Sequence, residues 1–256
     1  MPFLSYPDAD TGRPVRLWHE VIGSGLPLLL IAPGGMKSAI PLWRNAPWNP
    51  LQAWADAGFQ LIAMDQRNAG QSTGPIHSAH SWHTFAEDQL ALLDHLGVDR
   101  FVVAGMCIGG AYSAQLAVRV PERVAGMVLM QTIGLDGNRD AFLQMYDGWM
   151  TGLLAERTDV GEEDWAGLRK NMYGNDKYLF SCDSADLKGC TVPALVLKGN
   201  DLYHPASASL QVLKDVAGAE LVEEWKTGDQ VETGLAATRR FLGRVAAAEG
   251  VRSTTR

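Results

Sequence analysis

Cysteine is scarce: 256 residues contain three, Cys107, Cys182 and Cys190, at spacings that fit neither a disulfide framework nor a common zinc motif. In a reducing compartment all three are expected as free thiols, with Cys182 and Cys190 able to pair on oxidation. Long apolar runs are missing too. The longest, Leu26 to Ala32, is too short to span a bilayer and contains a proline. The start, Met1-Pro2-Phe3-Leu4-Ser5-Tyr6, lacks the basic stretch and apolar segment of a secretory leader. The expectation is a cytoplasmic protein without a membrane partner. Positive charge is in deficit, with Lys+Arg 22 against Asp+Glu 29 and a net charge of −7, which argues against nucleic acid as a partner. No internal repeat is present, and a homo-oligomer is not indicated. What remains is a composition of 46% hydrophobic and 20% charged residues, enough for one large core.

Short apolar stretches alternate with amphipathic ones along most of the chain. Leu28 to Ala32, Gln60 to Met64, Phe101 to Ala104, Val124 to Met130, Pro193 to Leu197 and Leu221 to Trp225 read as strands. Helices are expected over Pro50 to Ala57, Trp82 to Leu96, Gly109 to Val118 and Thr233 to Val245. Ser81 is the N-cap of the second and Gly97 its stop. Buried strands alternating with helices imply an α/β fold, a mostly parallel twisted sheet with helices on both faces. Val15 to Ile22 alternates more and is read as an antiparallel edge. From Gly134 to about Lys188 there is no buried strand, but Tyr146, Trp149, Trp165, Tyr173 and Tyr178 stand among helix formers. The division expected is a core of 1–133 and 189–248, a small helical cap at 134–188 and a tail at 249–256. Such a cap would cover the C-terminal edge of the sheet, where open α/β folds hold ligands.

One motif points to chemistry. Gly105-Met106-Cys107-Ile108-Gly109-Gly110 joins a strand to a helix, and its glycines permit the tight turn that exposes a central nucleophile. Cys107 would sit at a helix N-terminus, whose partial positive charge favours a thiolate. The backbone N–H of Ile108 is one expected oxyanion donor, and a second is expected from Gly34, Gly35 or Met36 after the first buried strand. Asp65-Gln66-Arg67-Asn68-Ala69-Gly70-Gln71-Ser72, Asp94-His95-Leu96-Gly97, Pro121-Glu122-Arg123-Val124 and Gly199-Asn200-Asp201-Leu202-Tyr203-His204-Pro205 occur in that order around it. With the elbow, these stretches resemble the α/β-hydrolase superfamily over nearly the whole chain, including members with cysteine at the elbow such as dienelactone hydrolases. The resemblance implies an α/β-hydrolase fold, an acid near Asp201 and a histidine after the last strand. That last position reads Glu223-Glu224-Trp225-Lys226-Thr227-Gly228-Asp229-Gln230-Val231, and no histidine follows His204. The usual Ser-His-Asp triad is therefore absent from its usual place.

Six histidines are candidates for the base. His204, three residues after Asp201, is the first choice, with Asp201 to orient it. His80, His83 and Lys226 are the alternatives. His77, His80 and His83 are evenly spaced but have no nearby carboxylate or cysteine to complete a metal site, so no metal is expected. His19 is expected as an outward or edge side chain and His95 as exposed. Trp43, Trp48, Trp82, His83, Trp149, Trp225 and Lys226 are candidates for a pocket wall, and their aromatics favour an apolar small-molecule substrate. The reading is a cofactor-independent hydrolase of an ester, lactone or related carbonyl compound, with Cys107, His204 and Asp201 as its catalytic residues. The alternatives are a lyase or isomerase on the same fold and a binding protein that has lost catalysis.

Overall fold

The computed structural model describes residues 2–46 and 49–250; Trp48 and the tail 251–256 lie outside them. The strands are β1 (Phe3–Pro7), β2 (Pro14–Ile22), β3 (Leu26–Ile31), β4 (Phe59–Met64), β5 (Phe101–Met106), β6 (Val124–Met130), β7 (Ala194–Leu197) and β8 (Glu220–Val222). They form one sheet in the order β1-β2-β4-β3-β5-β6-β7-β8. The pairs β1–β2 and β2–β4 are antiparallel, and every later pair is parallel. The helices are α1 (Pro41–Arg44), α2 (Pro50–Asp56), α3 (Trp82–His95), α4 (Ile108–Arg119), α5 (Arg139–Leu153), α6 (Glu162–Tyr173), α7 (Ser184–Lys188), α8 (Ala206–Asp215) and α9 (Gln230–Ala248). Helices α5 to α7 all fall between β6 and β7. Among the described residues no helix is long and apolar enough to cross a membrane.

Strand periodicity builds two cores. Leu29, Ile31, Phe101, Val103, Met127 and Leu129 face one layer, which also takes in the apolar sides of α3, α4 and the 139–187 segment. Leu28, Leu30, Val102, Ala104, Val128 and Met130 face the other, against α2 and α9. Helix α3 starts where Ser81 caps it: the Ser81 hydroxyl accepts from the N–H of His83, and the Ser81 N–H donates to Thr84 Oγ1.

Four details correct the sequence reading. Strand β2 is not the edge, because β1 pairs outside it. His19 is buried rather than turned outward; it continues the inward row of Val15 and Leu17 at period two, and its ring lies 6.3 Å from that of His95. Strand β8 ends at Val222 rather than at Trp225, and α9 is longer than expected at both ends.

The Asp65–Ser72 stretch has a structural task. The Asp65 carboxylate accepts from the N–H of Ile40 at 2.7 Å and of Gln71 at 2.8 Å, tying the loops after β3 and β4 together. Arg67 is buried and forks onto Asp88, Nε to Oδ2 at 2.9 Å and Nη2 to Oδ1 at 2.6 Å, while its Nη1 pairs with Asp8. Removing the guanidinium would strand two buried carboxylates. Arg67→Met is expected to cost about 3–5 kcal/mol of stability. Urea unfolding measures this; a midpoint and slope equal to those of the parent protein would reject the assignment.

Candidate active site

The parallel strands β3, β5, β6 and β7 deliver their C-terminal ends to one edge of the sheet. Strand β5 turns straight into α4 through Cys107, which takes φ 59° and ψ −120°, a conformation that costs a non-glycine residue free energy. The turn is held from both sides: the Cys107 N–H donates to Met130 O, and the Cys107 carbonyl accepts from the N–H of Ile133. Close packing explains the glycines around it. A Cβ on Gly105 would lie 2.0 Å from the Gly109 carbonyl oxygen, and one on Gly109 would lie 2.3 Å from that of Ile31.

The loop after β7 carries Asp201 and His204 together. Asp201 Oδ1 accepts from the backbone N–H of Tyr203 and of His204, and His204 Nδ1 lies 2.7 Å from the same oxygen. Asn138 clamps the loop from the segment before α5 by donating to Leu202 O at 2.6 Å. The His204 Nε2 is buried and makes no aligned hydrogen bond of its own, and the Cys107 thiol lies within its electrostatic reach.

The charges of these groups support one another. Burial works against a thiolate at Cys107, but His204 and the backbone N–H groups of Gly34 and Ile108 outweigh it and hold the thiol below its ordinary pKa. Burial likewise opposes an imidazolium at His204, and Cys107 and Asp201 together outweigh it and raise the ring's pKa. Asp201 would be raised by burial, yet His204 and Lys226 keep its carboxyl below the usual range. Opposite shifts on a thiol and an imidazole are what a thiolate–imidazolium pair produces.

Around this group is a cavity of about 270 Å³. Gly34, Gly35, Cys107, Ile108 and His204 form its reactive side, and Ile133, Phe142, Met145, Tyr173 and Tyr203 form the rest. Helices α5 and α6 supply Phe142, Met145 and Tyr173. Met145 presses so closely on Gly35 that a Cβ there would lie 2.5 Å from its sulfur. Met36 is buried but does not reach the cavity wall.

The other candidates lie elsewhere. Lys226 Nζ donates to Gln131 Oε1 at 2.8 Å and to Asp201 Oδ2 at 3.3 Å, so it supports the carboxylate from behind and is absent from the wall. His83 is exposed beside Glu87. His80 is buried with Asp8 at 3.3 Å and Asp10 at 3.6 Å. None of the named tryptophans among the described residues reaches the cavity. Trp43 is buried in the layer of α2 and α9. Trp82 stacks near Tyr112 and donates to Met172 O at 2.7 Å. Trp149 packs against Tyr146 and Trp165, and Trp225 lines a separate narrow crevice with Pro50 and Trp54. Large rings with one polar atom serve as packing here, which spacing alone does not distinguish from a pocket wall. The wall residues that sequence reasoning passed over had two signals. Ile133 and Tyr203 lie in the connections that leave β6 and β7, and Phe142 and Met145 stand three apart on one helix face.

Asp8, Asp10 and His80 are the one group of potential metal ligands among the described residues. The β1–β2 connection brings its carboxylates from far away in sequence. Asp8 is already committed to Arg67 and Thr11. Burial, with the Arg67 charge next, lowers the His80 pKa and keeps its ring neutral. A cation there would have to share the site with a guanidinium, so the donor set fits a structural ion-pair network better than a metal.

The sequence pattern of the alpha/beta hydrolase fold matches residues 27–180. The chain is 32% identical over 83 residues to the "Putative carbamate hydrolase RutD" of Klebsiella pneumoniae, a match covering 32% of this chain and 31% of that one. It is 28% identical over 171 residues to the 2-hydroxymuconate semialdehyde hydrolase of Pseudomonas putida, over 65% of this chain and 54% of the other. The chain thus spans from about a third to about half the length of these curated relatives. The enol-lactonase structure from Burkholderia xenovorans LB400 superposes with a TM-score of 0.66 at 21% identity, over 96% of this chain and 100% of that one. A likeness at that identity speaks for the fold alone.

Proposed function

This chain belongs to the alpha/beta hydrolase fold family, and we propose that it is a cofactor-independent hydrolase of small esters, lactones or related carbonyl compounds that works through Cys107. The observation that carries the proposal is His204, paired with Asp201 at 2.7 Å, which lines one largely apolar cavity together with Cys107. The curated relatives named as hydrolases support the same reaction class.

In the proposed reaction His204 holds the proton of the Cys107 thiol. The thiolate attacks the substrate carbonyl carbon, forming a C–S bond and moving the carbonyl electron pair onto oxygen. The N–H groups of Gly34 and Ile108, which favour negative charge at the sulfur, receive that oxyanion. Collapse expels the alkoxide, which takes the proton from His204. Water then attacks the thioester with His204 as general base, and its proton returns to the departing sulfur by way of the imidazole. Asp201 orients the ring and stabilises its charged form throughout. The helical segment 134–188 acts as a cap over a core of 1–133 and 189–248, closing the cavity with α5 and α6.

The test is to catch the intermediate. Rapid acid quenching after mixing with p-nitrophenyl butyrate is expected to leave a butyryl group on the protein, assigned to Cys107 by peptide mass spectrometry. Turnover without any adduct, or an adduct on another residue, would defeat the nucleophile assignment.

A further inference from the structure

Tyr173 ends α6 inside the cavity wall, fully buried, and its hydroxyl has no hydrogen-bond partner among the described residues. Its ring is fixed by stacking at 5.5 Å on Phe142 and by edge contacts with Phe180 and Trp82. The hydroxyl is therefore held in place without a partner in the protein, and a buried phenol left unpaired is unfavourable. Burial raises its pKa, with the Cys107 charge as the next contributor, so the group stays protonated. It is a fixed donor looking for an acceptor.

The remaining wall defines what that acceptor belongs to. Ile108, Ile133, Phe142 and Met145 are apolar, and among the described residues no lysine or arginine lines the cavity. The cationic group available is the His204 imidazolium, which is already matched by the Cys107 thiolate and by Asp201. A ligand carboxylate would enter without a counter-charge, which is costly in an apolar site.

We propose that Tyr173 donates a hydrogen bond to an oxygen of the substrate, and that the cavity takes neutral, mainly aliphatic acyl compounds while rejecting those that carry a carboxylate. This rests on the reading of the cavity around Cys107 as the place where substrate binds. Tyr173 then joins the reactive groups from the helical side of the cavity.

Binding separates this from catalysis. Calorimetry on the parent protein with 2-heptanone, 6-oxoheptanoate and toluene, none of which carries a leaving group for acyl transfer, reads the three chemistries with the Cys107 charge in place. The neutral ketone is expected to bind about tenfold or more tighter than the keto acid, and Tyr173→Phe to weaken the ketone about tenfold while leaving toluene unchanged. Equal or tighter binding of 6-oxoheptanoate overturns the charge selection. Unchanged ketone binding in Tyr173→Phe, or equal weakening of ketone and toluene, overturns the hydrogen bond. No binding of 2-heptanone or toluene at millimolar concentration overturns the substrate class. The hydrolase reading fails separately, through turnover that survives loss of Cys107, whatever the ketones do.

Discussion

Cys107→Ala is expected to lower ester turnover by about 10⁴-fold or more with its fold intact. The size follows from the arrangement. With the sulfur gone, the Gly34 and Ile108 amides and the His204 ring have no nucleophile to serve, and water in an apolar cavity is a poor substitute. The substitution removes a single atom at a position already at φ 59°, where alanine is strained much as cysteine is. Matching circular dichroism and unfolding midpoints would therefore accompany the loss. Hydrolysis of p-nitrophenyl butyrate measures it. Retention of turnover within about tenfold of the parent would mean that Cys107 does not carry the reaction.

The second large effect falls on His204. Its removal takes away the counter-charge that outweighs burial at Cys107, so the thiol pKa is expected to rise. The sign follows from the thiolate being the reactive form. The parent protein keeps its thiolate at pH values below the ordinary thiol range, and the rate of alkylation by iodoacetamide falls only as pH drops through that lowered value. In His204→Ala the same rise in rate should come at more alkaline pH. At neutral pH the variant should alkylate more slowly and lose turnover by about 10²–10⁴-fold. An unchanged alkylation profile would place the base elsewhere. His80 and His83 are poor replacements, since the first is locked to Asp8 and Asp10 and the second is exposed beside Glu87.

Much of the fold is legible in the sequence because its strands are apolar runs set between helical periods. Leu28 to Ala32 and Phe101 to Ala104 have few other readings in a chain of this composition. Strand β1 is different: five residues, half-exposed, with a proline at the end, it exists because β2 offers an edge to pair with. The Asp201–His204 contact is local, three residues apart in one loop, so sequence suffices to suggest it. The buried cluster of Asp8, Asp88, Arg67 and His80 is assembled from three separate segments and leaves no local trace. Tyr173 shows the same limit. Nothing distinguishes it in sequence from Tyr146, which is equally buried but gives its hydroxyl to Trp165 O.

The loop after β7 fixes acid and imidazole to one another through a backbone turn, Asp201 N–H to His204 O and His204 N–H to Asp201 O. The two groups therefore move as one piece. A base carried after β8 would need two loops, set by two strands, to keep register at every opening of the cavity. Here the connection from β8 to α9 reaches the acid through Lys226 alone, a half-exposed contact at 3.3 Å that water can replace at little cost. On the proposed reading that connection is released from the timing of proton transfer. Displacement of 223–229 leaves the pairing of carboxylate and imidazole untouched, because that pairing is stored in a single short segment of chain.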